Sequence, residues 1–113
     1  MRKAYIVAAK RSAIGSFMGG LTSSWFGRCR FEGDDPAVRH RSKDIDEVLV
    51  GNVIAAGLGR RTSAVRSASR PAFRSKSRQS INMLCGSGSK AVMEATLRIQ
   101  AGFGDIYVAG GVE

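Results

Sequence analysis

The sequence predicts an α/β fold, in which short buried strands are covered by helix, and three features carry that prediction. Short apolar runs rich in β-branched residues recur at Lys3–Ala9 and Val48–Val53, and a third begins at Ile81 and stops at Cys85. A helical pattern follows that third run, with Ala91, Val92, Ala95 and Ile99 on one side. A further strand, Asp105–Ala109, then closes a strand–helix–strand unit. At 113 residues the chain has room for one domain and one core.

In chain order, Lys3–Ala9 is expected to be a buried first strand. Basic residues precede it as in a signal peptide, but the run Ala4–Ala9 is shorter than an h-region and no clean cleavage site follows. Lys10–Gly20 is a glycine-punctuated loop. Residues 22–42 have no readable period: Trp25, Phe26, Phe31 and Val38 are scattered among Arg, Asp and Gly. Order returns at Asp44, where the run DIDEV leads into the second strand, Val48–Val53. Residues 60–80 again lack any apolar pattern. In the helix after Cys85, Met93 and Leu97 widen the apolar arc, which predicts cover over much of its girth, and Gly102 and Gly104 end it.

Composition excludes several classes. No apolar run approaches the roughly 20 residues of a membrane-spanning helix. Two cysteines far apart, without CxxC spacing, argue against a zinc site and a disulfide framework, and fit a reducing, cytoplasmic setting. The net charge of +9 is local: residues 60–79 hold seven basic residues and no acid, and without them 11 basic residues face 9 acidic ones. That Arg/Ser tract could follow a phosphate backbone, with Phe73 stacking on a base. Nucleic-acid binders of this kind interleave several aromatics, however, and the tract has one.

The chemistry concentrates at Cys85. Its thiol stands at the mouth of a helix, where unpaired backbone N–H groups and the positive end of the helix dipole favour a thiolate in general. Gly86 and Gly88 lack side chains, so a thioester carbonyl could approach the backbone amides there. The pattern suits acyl transfer, with sulfur as nucleophile and N–H groups facing the oxyanion. The duller role for a lone cysteine is a small buried hydrophobe. Gly86 to Ala91 also fits a loose GxGxxA dinucleotide fingerprint, but neither Asp105 nor Glu113 is placed to hold a ribose. No GK[ST] is present to make a P-loop. His40, the only histidine, is expected at the surface and not beside Cys85; Cys29 lies between two arginines with no sign of a pocket.

Four blocks, MRKAYIVAAKRSAIGSFMGGL, DIDEVLVGNVIAAGLG, INMLCGSGSKAVMEATLRIQAG and DIYVAGGVE, resemble the opening of a thiolase of the acetyl-CoA acetyltransferase type. The resemblance covers about two-thirds of the chain, and the block around Cys85 is the most specific. It implies a partial thiolase fold, with residues 1–113 as part of the N-terminal domain. It also implies that Cys85 takes the acyl group from acyl-CoA, with the coenzyme A thioester as substrate and no resident cofactor or metal. A homo-oligomer without membrane or nucleic-acid partner is implied too. The family's activating histidine and second cysteine are expected in a C-terminal half beyond Glu113, and His40 does not correspond to that histidine.

Residues 22–42 fall where such a protein would place a helix, and residues 60–80 where it would place a helix leading into a strand. Both are expected to arise from a shifted reading frame. With GC-rich codons, Phe73–Ser80 started one base upstream can give Val-Pro-Val-Glu-Val-Pro-Ala-Val. Trp25–Pro36 started one base downstream can give an alanine-rich helix former. Sequencing the coding DNA tests this. Coil in place of those helices would leave the sheet partly wet, so the chain by itself is expected to fold poorly and to be inactive.

Overall fold

The computed structural model of the chain describes residues 2–11, 13–16, 19–20, 42–54 and 77–112. After a single 3-10 turn at Ser42–Asp44 come strand β1 (Glu47–Gly51), strand β2 (Ser77–Ile81), helix α1 (Ser87–Ala101) and strand β3 (Tyr107–Gly111). The three strands form one parallel sheet in the order β2-β1-β3. β1 is the central strand and all five of its residues are buried. The α/β architecture expected from the sequence is therefore present, with one refinement. The two strands flanking α1 in the chain, β2 and β3, are not neighbours, because β1 lies between them.

The sheet has two differently filled faces, as strand alternation requires. Val48 and Val50 pack with Ile45, Ile106, Val108 and Val112 on one face. Leu49 packs with Ala91 and Ala95 of α1 on the other, flanked by Ile81, Tyr107 and Ala109. Leu49 and Ala91 have no exposed surface, and burying a leucine of this kind contributes about 2 kcal/mol.

The face toward α1 tapers. Along β1 it presents Glu47, Leu49 and Gly51; the register partners on β3 are Tyr107, Ala109 and Gly111. Side chains shrink toward the carboxyl ends of the strands, so the helix comes closest there. A Cβ at Gly51 would stand 2.3 Å from the carbonyl carbon of Ser87, and one at Gly111 would stand 3.0 Å from Cα of Gly88. At the opposite end the larger side chains meet polar partners. Arg98 of α1 pairs with Glu47 and donates to Gln79 Oε1 at 2.6 Å, while Ser77 Oγ donates to Glu47 Oε1 at 2.8 Å. The helix ends in a left-handed Gly102 (φ 83°). Its N–H donates to Ile99 O, and that of Phe103 donates to Arg98 O, the pair of hydrogen bonds that closes a glycine-terminated helix.

Four expectations need correction. Lys3–Ala9 is not a strand: Tyr5, Ile6 and Val7 are 74%, 79% and 87% exposed. An apolar run becomes a strand only where it pairs with a sheet, and Lys3–Ala9 pairs with none of β1, β2 and β3. The third strand lies earlier than the apolar run ending at Cys85. It is the polar Ser77–Ile81, so the last residues of the tract expected to be unstructured pair with β1 through their backbones. β3 likewise begins later than Asp105, because the Asp46 carboxylate accepts the N–H groups of Asp105 (2.7 Å) and Ile106 (3.1 Å). Finally, α1 is covered on one side only. Val92, Met93 and Leu97 are exposed, since one sheet face accepts only the stripe carrying Ser87, Ala91 and Ala95. The unpatterned segments at 22–41 and 60–76 lie outside the described residues, as do Cys29 and His40.

Candidate active site

The loops leaving the three strands are tied together at the carboxyl edge of the sheet. Asn52, 7% exposed, follows β1; its N–H donates to Ile81 O at 3.0 Å and its side-chain amide donates to Val112 O at 3.0 Å. Val112 N–H returns a bond to Gly51 O at 2.9 Å. Asn82, the residue after β2, donates through Nδ2 to Val53 O at 3.3 Å. Its Oδ1 accepts the N–H of Leu84 at 3.1 Å, an asparagine-initiated turn.

Cys85 sits on the short path from that turn to α1. Its thiol is free and exposed, not sealed in the core, so the hydrophobe role does not apply. The residue before it, Leu84, has φ of 49°. That left-handed conformation is rare outside Gly, Asn and Asp, and it falls in the turn that leads to Cys85 and the N-cap Gly86. Gly86 N–H donates to Met83 O and Ser87 N–H to Leu84 O, at 3.1 and 3.0 Å. The Ser87 hydroxyl, on a residue 4% exposed, accepts the N–H of Met83 at 2.9 Å and donates to Leu84 O at 2.6 Å.

Gly86 is the helix N-cap and supplies no side-chain cap. The first-turn amides therefore have no side chain folded back over them. Those of Gly88 and Ser89 have no acceptor among the described residues. A helix start in this state attracts an anion or a developing oxyanion. The two glycines differ in what surrounds them. A Cβ at Gly86 would meet chiefly the flexible end of Met83, at 2.8 Å, whereas one at Gly88 would face Gly111 Cα at 3.4 Å. The bare backbone at Gly88 thus also serves the packing of α1 on β3. Cys85, Gly86 and Gly88, which the sequence singles out, lie together at the start of α1, with Gly86 as N-cap and Gly88 in the first turn. Sequence reasoning assigned no role to Asn52, Asn82, Leu84 or Ser87. An asparagine directly after each of two strands was the available signal for the first two.

Among the described residues no three His, Cys, Asp or Glu side chains cluster as a metal site. No helix among them is long and apolar enough to cross a membrane.

Residues 4–113 match the family model described as thiolase, N-terminal domain. The chain belongs to the thiolase family. It is 36% identical over its whole length to the acetyl-CoA acetyltransferase of Escherichia coli (strain K12), of which it covers 29%. It is 38% identical over 96% of its length to that of Allochromatium vinosum, covering 28%. The fold agrees with the crystal structure of the Bacillus anthracis acetyl-CoA acetyltransferase: TM-score 0.61 and 25% identity, over 88% of this chain and 26% of that one. The chain thus spans under a third of the length of these relatives.

Proposed function

We propose that this chain carries the acyl-accepting nucleophile of a thiolase-type acetyl-CoA acetyltransferase, and that Cys85 is that nucleophile. The Cys85 sulfur attacks the thioester carbonyl of acetyl-CoA. The carbon–sulfur bond to coenzyme A breaks, the leaving thiol takes up the proton given up by Cys85, and an acetyl group remains on Cys85. A second acetyl-CoA, deprotonated at its methyl carbon, then attacks that acyl-enzyme to give acetoacetyl-CoA; the reverse sequence is thiolysis. Gly86 lets the thioester approach, and the uncapped amides of the first helical turn, Gly88 among them, face the carbonyl oxygen. The histidine and second cysteine that the family uses for the proton steps have no counterpart among the described residues, so acetylation of Cys85 is the part of the reaction assigned to this chain. As in the family, the working assembly is a homo-oligomer.

The observation that carries the reading is the exposed Cys85 thiol one residue ahead of an uncapped helix start, at the carboxyl edge of a parallel sheet. Ligands bind at that edge in open α/β sheets. The Arg/Ser tract gives the nucleic-acid alternative no comparable support, since the family match runs through it and its last residues belong to β2.

The test is peptide mapping by mass spectrometry after incubation with acetyl-CoA at neutral pH. Acetyl on the Cys85 peptide, absent from Cys85→Ser and removed by free coenzyme A, is expected; this half-reaction uses the thiol and the helix start, whereas the full turnover that the isolated chain is expected to lack also needs the family's histidine and second cysteine. Equal labelling of Cys29, or none at Cys85, would overturn the assignment.

A further inference from the structure

We propose that Ser87 is a positioning residue for Cys85, its hydroxyl serving as the clamp that holds Leu84 in its left-handed turn. This rests on Cys85 being the acyl acceptor. The backbone at Leu84 (φ 49°) is disfavoured by about tenfold for a leucine, so something must hold it. Packing does not: Leu84 is 68% exposed. What grips the turn is polar. The Ser87 hydroxyl bonds to both sides of it, accepting from Met83 N–H and donating to Leu84 O. Its own residue is anchored where the helix start packs on Gly51. Asn82 holds Leu84 N–H from the other direction. Without the hydroxyl, Leu84 relaxes toward a negative φ and the Cys85 sulfur swings away from the helix mouth. Ser87 touches no reacting atom in this scheme. It acts through the backbone.

Two substitutions in the full chain test it. Ser87→Ala keeps a good helix former but removes both hydroxyl bonds. Leu84→Gly removes the penalty for positive φ. In Ser87→Ala, acetylation of Cys85 by acetyl-CoA is expected to slow about tenfold, while amide exchange across Val92–Ile99 stays unchanged. Adding Leu84→Gly to Ser87→Ala should restore the rate to within about threefold of the parent. A purely structural serine would not be rescued in this way. Acetylation of Ser87→Ala at the parent rate, or slowing that Leu84→Gly does not rescue, would overturn the proposal. If the parent chain is not acetylated at all, the proposed function fails. The clamp is then decided by NMR amide exchange at Gly86 and Ser87, whose acceptors are the carbonyls of the turn. Faster exchange in Ser87→Ala, reversed by Leu84→Gly, sustains it, and unchanged exchange ends it.

Discussion

Replacing Gly51 by alanine should damage the site without touching it. The added Cβ would lie 2.3 Å from Ser87 C, 2.5 Å from Gly88 N and 2.5 Å from Ser87 O. All three are backbone atoms, so no side chain can rotate aside. An ordinary contact begins near 3.4 Å, so relief requires the start of α1 to lift from the sheet by about 1 Å. Overpacking of this kind costs about 1–3 kcal/mol, a sizeable part of a typical total of roughly 5–15 kcal/mol. The displaced segment begins two residues after Cys85, and a misplacement of about 1 Å can slow a positioned reaction about 100-fold. The assay has two arms: amide exchange along α1, expected to quicken about tenfold or more, and the rate of Cys85 acetylation, expected to fall more steeply. Gly20→Ala is the control, because nothing lies within 4 Å of the Cβ it would add. Gly51→Ala with parent-like exchange and acetylation would refute the tapered packing deduced for this face.

Other consequences follow from the opposite end of the sheet and from the surface. Arg98→Met strands Glu47, which is 8% exposed and keeps only Ser77 as side-chain hydrogen-bond partner among the described residues, and should cost about 2 kcal/mol in exchange-derived stability. Lys90→Met, which breaks the more exposed pair with Glu94 one helical turn away, should cost under about 0.5 kcal/mol. The Tyr107 phenol is pushed above the ordinary tyrosine range by burial, then by the carboxylates of Glu47 and Asp46, with Arg98 opposing and Asp105 adding a little. The unfolded chain therefore loses that proton first. The stability Tyr107 contributes is complete below about pH 10 and declines as pH rises through the folded-state value. Tyr107→Phe should flatten the alkaline loss of near-ultraviolet circular dichroism. With Tyr5, Ile6, Val7, Ile14, Leu97 and Phe103 all more than half exposed, the chain on its own should lose structure gradually on heating. A single sharp calorimetric transition would contradict that.

How much of this was legible in the chain depends on whether a feature is local. The helix could be placed closely because its signals are its own: a glycine at its start, small and apolar residues at helical spacing, and Gly102 as the left-handed terminator. Cys85 stood out for the same reason. Strands were less legible, because pairing is a property of two segments. Lys3–Ala9 has strand composition and no strand, whereas Ser77–Ile81 has polar composition and pairs along its whole length. The glycines show the same limit. Gly86 and Gly88 look alike in sequence, but only the sheet reveals that Gly88 faces Gly111 while Gly51 admits the helix start.

By itself, then, the sequence determined the family, the helix, and a thiol placed directly ahead of its glycine-led first turn, since each follows from residues close together in the chain. The tertiary structure alone decided which strands lie side by side, which side of the helix is covered, and how far the helix start drops toward the carboxyl edge. It also decided the turn at Leu84, held by Asn82 and Ser87, that sets where Cys85 stands. The physical reason is that closeness of approach is fixed by side-chain size on the facing element, here Leu49 and Ala109 giving way to Gly51 and Gly111. No stretch of chain records the size of a neighbour it has not yet met.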